Sequence, residues 1–252
     1  MKQYHIALSE EHSAKYAIIP GDPGRVEKIA AFLDDAKQVG CNREYNSYLG
    51  YLDGEKVLVV STGIGGPSCA ICVEELAKIG VDTFIRVGTC GGMQPQVKPG
   101  DVVIATGAIR QDGTSREYMP IEFPAVADFK VTSALYEAAQ KLGYDNHIGV
   151  VQAKDSFYGQ HSPESMPISS ELLAKWEAWK RGGCLASEME SSTLFIVSAA
   201  RSLRSGGVFH CVWNQEVSQS AMPKDRKEDT SAAIKTAIEA LRILIKKDNL
   251  NK

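Results

Sequence analysis

Apolar positions along the chain follow two periods. Runs rich in β-branched residues read as buried strands: "YAIIP" (16–20), "DTFIRVGTCGG" (82–92), "GDVVIATGAIR" (100–110), "HIGVVQA" (147–153) and "GGVFHCVWN" (206–214). "SYLGYLDGEKVLVVST" (47–62) is a hairpin pattern around Asp53–Gly54. Elsewhere apolar residues recur at helical spacing, which predicts helices over 22–33, after the glycine turn at 63–66 as far as residue 80, and over 132–143, 187–204 and 224–247. The first of these opens with Asp22 as N-cap and Pro23 at the first helical position, where the missing N–H costs nothing.

Strands alternating with helices, with no linker, low-complexity tract or internal repeat, predict a single α/β domain over residues 1–252. Its sheet is mixed or mostly parallel and covered on both faces. Ligands in such folds collect at the carboxyl ends of the strands. Polar and glycine-rich residues follow Pro20, Val60, Val87, Ala153 and Trp213, where that rule expects a small-molecule site.

Composition narrows the classes. Hydrophobic residues at 44% and charged residues at 23% suit a globular chain with a full core. The formal net charge of −3 gives no global attraction to nucleic acid or an anionic membrane, so an anion site has to be built from local arginines. The start "MKQYHIALSE" has no apolar h-region, and no apolar run approaches the ~20 residues of a membrane span, so a cytoplasmic protein is expected. Six scattered cysteines suit reduced thiols. Cys69 and Cys72 form a C-x-x-C, but the stretch around them reads as one face of an amphipathic helix, and the histidines show no ligand spacing.

"GIGGPS" (63–68) has the spacing G-x-G-G rather than a dinucleotide fingerprint, and no P-loop pattern occurs. The arginines are more telling. Arg25 lies in the first turn after Pro23, Arg43 in "NREYNSY", and Arg86 inside the apolar strand "FIRVG". A buried arginine requires a partner, either a core carboxylate or an anionic ligand. A helix terminus contributes only about 0.3–1 kcal/mol toward an anion. A charge-assisted hydrogen bond contributes about 1.5–3 kcal/mol, so arginines would dominate any such site. Convergence of Gly21, Arg25, Arg86 and Thr89 predicts a site for free phosphate or a phosphoryl group.

"PGDPGRVEKIA", "NREY", "STGIGGPS", "FIRVGTCGG", "EFPAVADF", "DSFYGQ" and "EMESSTL" occur in that order, and together they resemble the nucleoside phosphorylase family, above all its uridine-cleaving members. The resemblance runs from His5 to the last helix. It implies a three-layer α/β/α sandwich with a mixed central β-sheet, assembled from dimers and usually as a hexamer. The implied reaction is reversible phosphorolysis of uridine by inorganic phosphate, with no required cofactor and no nucleic-acid or membrane partner. Gly21, Arg25, Arg86 and Thr89 match the phosphate ligands, and Arg43 an arginine donated by the neighbouring subunit. His5, which also crosses that interface, Thr89, Met189 and Glu190 match ribose contacts, and Phe157 and Gln160 match base contacts. Arg86, Glu190 and Gln160 would carry the chemistry, while Glu44, Ile64 and Ser68 match a potassium site between subunits.

Two positions depart from that pattern. The arginine expected two residues after Gln160 is Ser162, and the one after Asn214 is Gln215. Base-reading donors must come from elsewhere, with Lys154, His161 and Gln215 the candidates. Three readings compete. A nucleosidase of the same fold would not need three phosphate arginines. A non-catalytic binder would not need Met189 and Glu190 beside them. A purine phosphorylase places an aspartate where this chain has Asn214.

Overall fold

The structure, a computed structural model, describes residues 1–217 and 228–250. The first half of the chain contributes β1 (Tyr16–Pro20), α1 (Val26–Ala30), β2 (Asp34–Asn42), β3 (Tyr45–Leu52), β4 (Glu55–Val60) and α2 (Gly66–Lys78). The middle follows with β5 (Thr83–Gly92), β6 (Val102–Gln111), α3 (Thr114–Tyr118), β7 (Ala125–Val126), α4 (Phe129–Leu142) and β8 (Asn146–Lys154). The last third holds α5 (Phe157–His161), α6 (Ser169–Arg181), β9 (Ala186–Glu188), α7 (Ser191–Ala200), β10 (Arg204–Asn214) and α8 (Ser231–Leu250).

Among the described residues these strands form one mixed sheet between two layers of helices. Successive β1 side chains enter opposite cores: Ala17 and Ile19 pack with Cys69, Val73 and Leu76 of α2 and Leu194 and Phe195 of α7, whereas Tyr16 and Ile18 pack with α1, α4 and α8. Burial on both faces explains why β1 is apolar at every position. Cys69 and Cys72 are buried in the first of these cores, as the helix-face reading expects. No helix among the described residues is long and apolar enough to cross a membrane.

The site's position follows from a fork in β5. Its first half pairs with β1 in parallel, through Pro20 opposite Val87. Beyond Val87 that partner ends, and Gly91 and Gly92 pair antiparallel with Ser187 and Ala186 of β9. Strand β10 follows the other edge of β5 throughout, so β5, β10, β6, β8 and β9 close into a ring. Glycine permits the bend, since a Cβ at Gly88 would stand 2.7 Å from Phe209 Cδ1. The wedge between the end of β1 and β9 is the open end of the sheet.

Several boundaries differ from the sequence reading. The expected helix over 22–33 is a 3₁₀ turn at Pro23–Arg25 followed by the five-residue α1. Asp22 caps that turn by accepting from Gly24 N at 2.8 Å. The expected helix over 187–204 begins at Ser191, because Ala186–Glu188 are drawn into the sheet by β5 and β8. Met189 and Glu190 therefore lie in a strand-to-helix turn. The last helix starts at Ser231 rather than 224, with residues 228–230 preceding it as non-helical chain and 224–227 outside the described residues.

Asp248 fastens α8 to the sheet. It accepts from Arg204 Nη1 and Nη2 at 3.0 and 2.6 Å, Lys15 Nζ at 2.9 Å and the Tyr16 hydroxyl at 2.8 Å. These donors hold its carboxyl well below the usual range, with the Arg204 bonds the largest cause. A depressed acid contributes stability above its unfolded pKa of about 4, and that contribution fades as pH falls below it. Asp248→Asn is expected to lower unfolding free energy at pH 7 by about 1–3 kcal/mol. In urea titrations at successive pH values, the gap from wild type should shrink as acid is added.

Candidate active site

A cavity of about 830 Å³ occupies the wedge at the fork of β5. One end is lined by Gly21, Asp22, Arg25, Arg86 and Thr89, the centre by Glu188, Met189 and Glu190, and the far end by Lys154, Phe157, Gln160, His161 and Trp213.

Arg86 defines the first end. It occupies a core-facing position of β5 and is only 4% exposed. Of the two anticipated partners of a buried arginine, the core carboxylate is present. Its Nη2 donates to Glu190 Oε2, and its Nε approaches Glu188 Oε2 at 3.4 Å. Its Nη1 is buried without an acceptor among the described residues. A Cβ on Gly21 would lie 3.7 Å from both Nη atoms, so the Gly21 backbone runs alongside the guanidinium. Arg25 lines the same end, and burial pulls its pKa down, opposed by Asp22. A buried guanidinium corner with a spare donor, beside a second arginine, suits an oxyanion. The short 3₁₀ turn carries little dipole, so the arginines dominate more than the expected helix start would allow.

The two glutamates are held differently. Glu190 Oε1 accepts from Gly65 N at 2.6 Å, a contact made possible by the left-handed φ of 95° at Gly65. Glu188 accepts from the backbone N–H groups of Glu190 at 3.0 Å and Ser191 at 2.9 Å, capping α7. Burial raises the Glu188 pKa, with Arg86 opposing the rise. Glu188 thus holds the start of α7, while Glu190 ties Arg86 to the Gly65 turn.

At the far end, Lys154 closes β8 and is 4% exposed. Its Nζ donates to Ser187 Oγ at 2.7 Å and lies 3.4 Å from the Glu188 carbonyl oxygen. Burial lowers its pKa to about 8. The Ser187 hydroxyl also bonds the amides of Gln152 and Gln160, and Gln160 bonds Gln215 at 3.2 Å. The His161 ring lies between Phe157 and Trp213, with centroids at 4.2 and 5.1 Å. Burial, aided by the Lys154 charge, lowers its pKa to about 4, so it is neutral at pH 7.

Of the other predicted residues, Ile64 lines this cavity and the rest stand outside it. Gln215 lines a smaller chamber of about 240 Å³ that shares Lys154 and Gln160 with the large one. His5 and Arg43 do not line this chain's cavity. His5 Nδ1 is bound to Glu75 Oε1 at 2.7 Å, and Arg43 is exposed with φ 55°. Glu44, Ile64 and Ser68 meet at one corner: Glu44 Cγ lies 2.9 Å from where a Gly63 Cβ would stand, and Ser68 Oγ donates to Ile64 O at 3.3 Å. Asn214, offered as evidence against purines, is also outside the cavity. Its amide nitrogen donates to Gln94 O at 2.7 Å and Val97 O at 2.8 Å, so the side chain ties down the end of β10.

Residues 15–247 match the family model described as the phosphorylase superfamily. The chain belongs to the phosphorylase superfamily. Within it, the chain is 52% identical over 247 residues to a uridine phosphorylase of Treponema pallidum, spanning 98% of this chain and 96% of that protein. It is 43% identical to a uridine phosphorylase of Klebsiella aerogenes, across 96% of this chain and 98% of the relative. A guanosine phosphorylase of Halorubrum lacusprofundi is 38% identical, across 96% and 99%.

Sequence reasoning missed Trp213, Ser187, Glu188 and Cys90 in the cavity wall. Trp213 is an aromatic residue at the carboxyl end of a strand, a signal that was available. Ser187 lies one residue before "EMES", but its role depends on β9 pairing, which no local pattern announces.

Proposed function

We propose that the protein is a uridine phosphorylase. Phosphate sits against Gly21, Arg25, Arg86 and Thr89. One of its oxygens attacks C1′ of uridine, the C1′–N1 bond breaks, and uracil and ribose 1-phosphate result. The observation that carries this reading is the buried Arg86 guanidinium, fixed by Glu190 and keeping a spare donor beside Gly21. The uridine phosphorylases at 52% and 43% identity support the choice of base.

The transition state resembles an oxocarbenium ion, as in glycoside cleavage. Phosphate is the nucleophile, so no protein nucleophile is needed, and the anion stabilises the cation forming at C1′. Met189 and Glu190 contact the ribose, with the Glu190 carboxylate binding a ring hydroxyl. Phe157 packs on the base and the Gln160 amide reads its edge. A chain with Arg25 and Arg86 in one cavity is poorly suited to simple hydrolysis, which has no anion to hold.

His5 and Arg43 complete the neighbouring subunit's site in a dimer-based homo-oligomer, a role that suits a half-buried histidine and an exposed arginine absent from their own cavity. Facing a carboxylate, His5 Nδ1 carries a proton, which leaves Nε2 to meet a ribose hydroxyl. Glu44, the Ile64 carbonyl and Ser68 offer oxygen donors only, which suits potassium shared between two subunits. Six free cysteines fit a reducing cytoplasm.

Base preference is tested by following free base from uridine and from guanosine at equal concentration with phosphate present. Uracil is expected to form at least about tenfold faster, a difference of roughly 1.4 kcal/mol in transition-state binding. Faster guanine release would assign the chain to the purine side, where the Halorubrum relative stands.

A further inference from the structure

Lys154 is a buried ammonium with no carboxylate bonded to it among the described residues. It stands at the base end of the cavity, where the neighbouring groups are the Phe157, His161 and Trp213 rings and the Gln160 amide. His161 carries no charge at pH 7. Arg86 is engaged with Glu188 and Glu190. Burying a cation with no carboxylate bonded to it is costly, and such groups concentrate at functional sites.

We propose that Lys154 is a catalytic residue that stabilises the negative charge developing on the departing base. As C1′–N1 breaks, its electron pair passes to the base and spreads onto the carbonyl oxygens. The Lys154 ammonium donates a hydrogen bond to one of these oxygens, exchanging its Ser187 contact for it. The base leaves as an anion and takes its proton from water. Ser187, held by Gln152, positions the ammonium and couples it to Gln160. The assignment rests on the uridine reading and adds the group that receives the leaving charge.

The experiment compares wild type, Lys154→Met and Lys154→Arg on uridine and on 5-fluorouridine, whose base is the better leaving group. Loss of a preorganised donor typically costs about 10²–10³-fold. Lys154→Met is expected to lose that much kcat/KM on uridine and under about tenfold on 5-fluorouridine. Lys154→Arg recovers part of the uridine rate. A pH profile supplies a second readout. Glu188, Glu190 and Cys90 face Lys154 and favour its charge, while His161 packs nearby and is neutral. Activity that needs the ammonium is full below its pKa and falls as pH rises past about 8, and Lys154→Met lacks that limb. Should Lys154→Met fail to fold, Lys154→Gln carries the same comparison. Equal losses on both nucleosides, or an unchanged alkaline limb, overturn the assignment while leaving the uridine reading intact. A wild type that releases guanine but no uracil overturns both.

Discussion

Arg86→Ala is expected to abolish phosphate-dependent turnover and to weaken the fold together. The guanidinium offers phosphate charge-assisted bonds of about 1.5–3 kcal/mol each, so losing two amounts to roughly 10²–10⁴ in kcat/KM. The same side chain neutralises Glu188 and Glu190, both buried. Removing one partner from a buried ion pair costs about 3–5 kcal/mol, because an uncompensated charge stays behind. The sign with pH follows. Without Arg86 the Glu188 pKa, already raised by burial, climbs further above its unfolded value of about 4.3. A raised acid penalises folding above that unfolded pKa and ceases to do so as pH falls, so Arg86→Ala should approach wild-type stability in acid. Denaturant midpoints at pH 7 and pH 5, beside steady-state kinetics, check both halves. Adding Glu188→Gln to Arg86→Ala should recover stability without recovering turnover. Recovered turnover would show that Arg86 serves only to balance the glutamates.

Glu190→Gln is expected to lose about 10²–10³-fold in kcat/KM, the scale of removing one preorganised electrostatic group. The carboxylate accepts at both oxygens, from Gly65 N and from Arg86 Nη2. An amide has one acceptor oxygen and directs its NH₂ at whichever donor remains, so it cannot satisfy both. Arg86 then loses its fixed orientation, and the requirement for phosphate rises along with that for uridine. Glu188→Gln should be milder, since Glu188 chiefly caps α7. Separate KM values for phosphate and nucleoside distinguish the two glutamates. Equal effects of the two changes would contradict the roles assigned here.

The parts of the fold legible in the sequence were those buried on both faces. Strands β1 and β5 carry nearly uninterrupted apolar runs, and their ends fall within a residue of expectation. Strand β2 went unread because "DDAKQVGCN" is largely exposed and held by pairing with β3 rather than by burial. Strand β9 is three residues long and exists through its two neighbours. The Arg25–Arg86 end was legible because an arginine inside an apolar strand demands an explanation. At the other end Lys154, Phe157, Gln160 and His161 were legible, but their link through Ser187 was not, since β8, β9 and α5 meet only through the closed ring of strands. A helix was expected to begin the anion site; the five-residue α1 shows that Arg25 is placed by an Asp22-capped turn instead.

The Arg25–Arg86 corner is expected to hold phosphate as a reactant. The most direct test incubates the protein with uridine, with and without inorganic phosphate, and follows uracil and ribose 1-phosphate together. Uracil should appear only with phosphate, matched one for one by ribose 1-phosphate. Uracil formed at the same rate without phosphate, with free ribose as the second product, would contradict it.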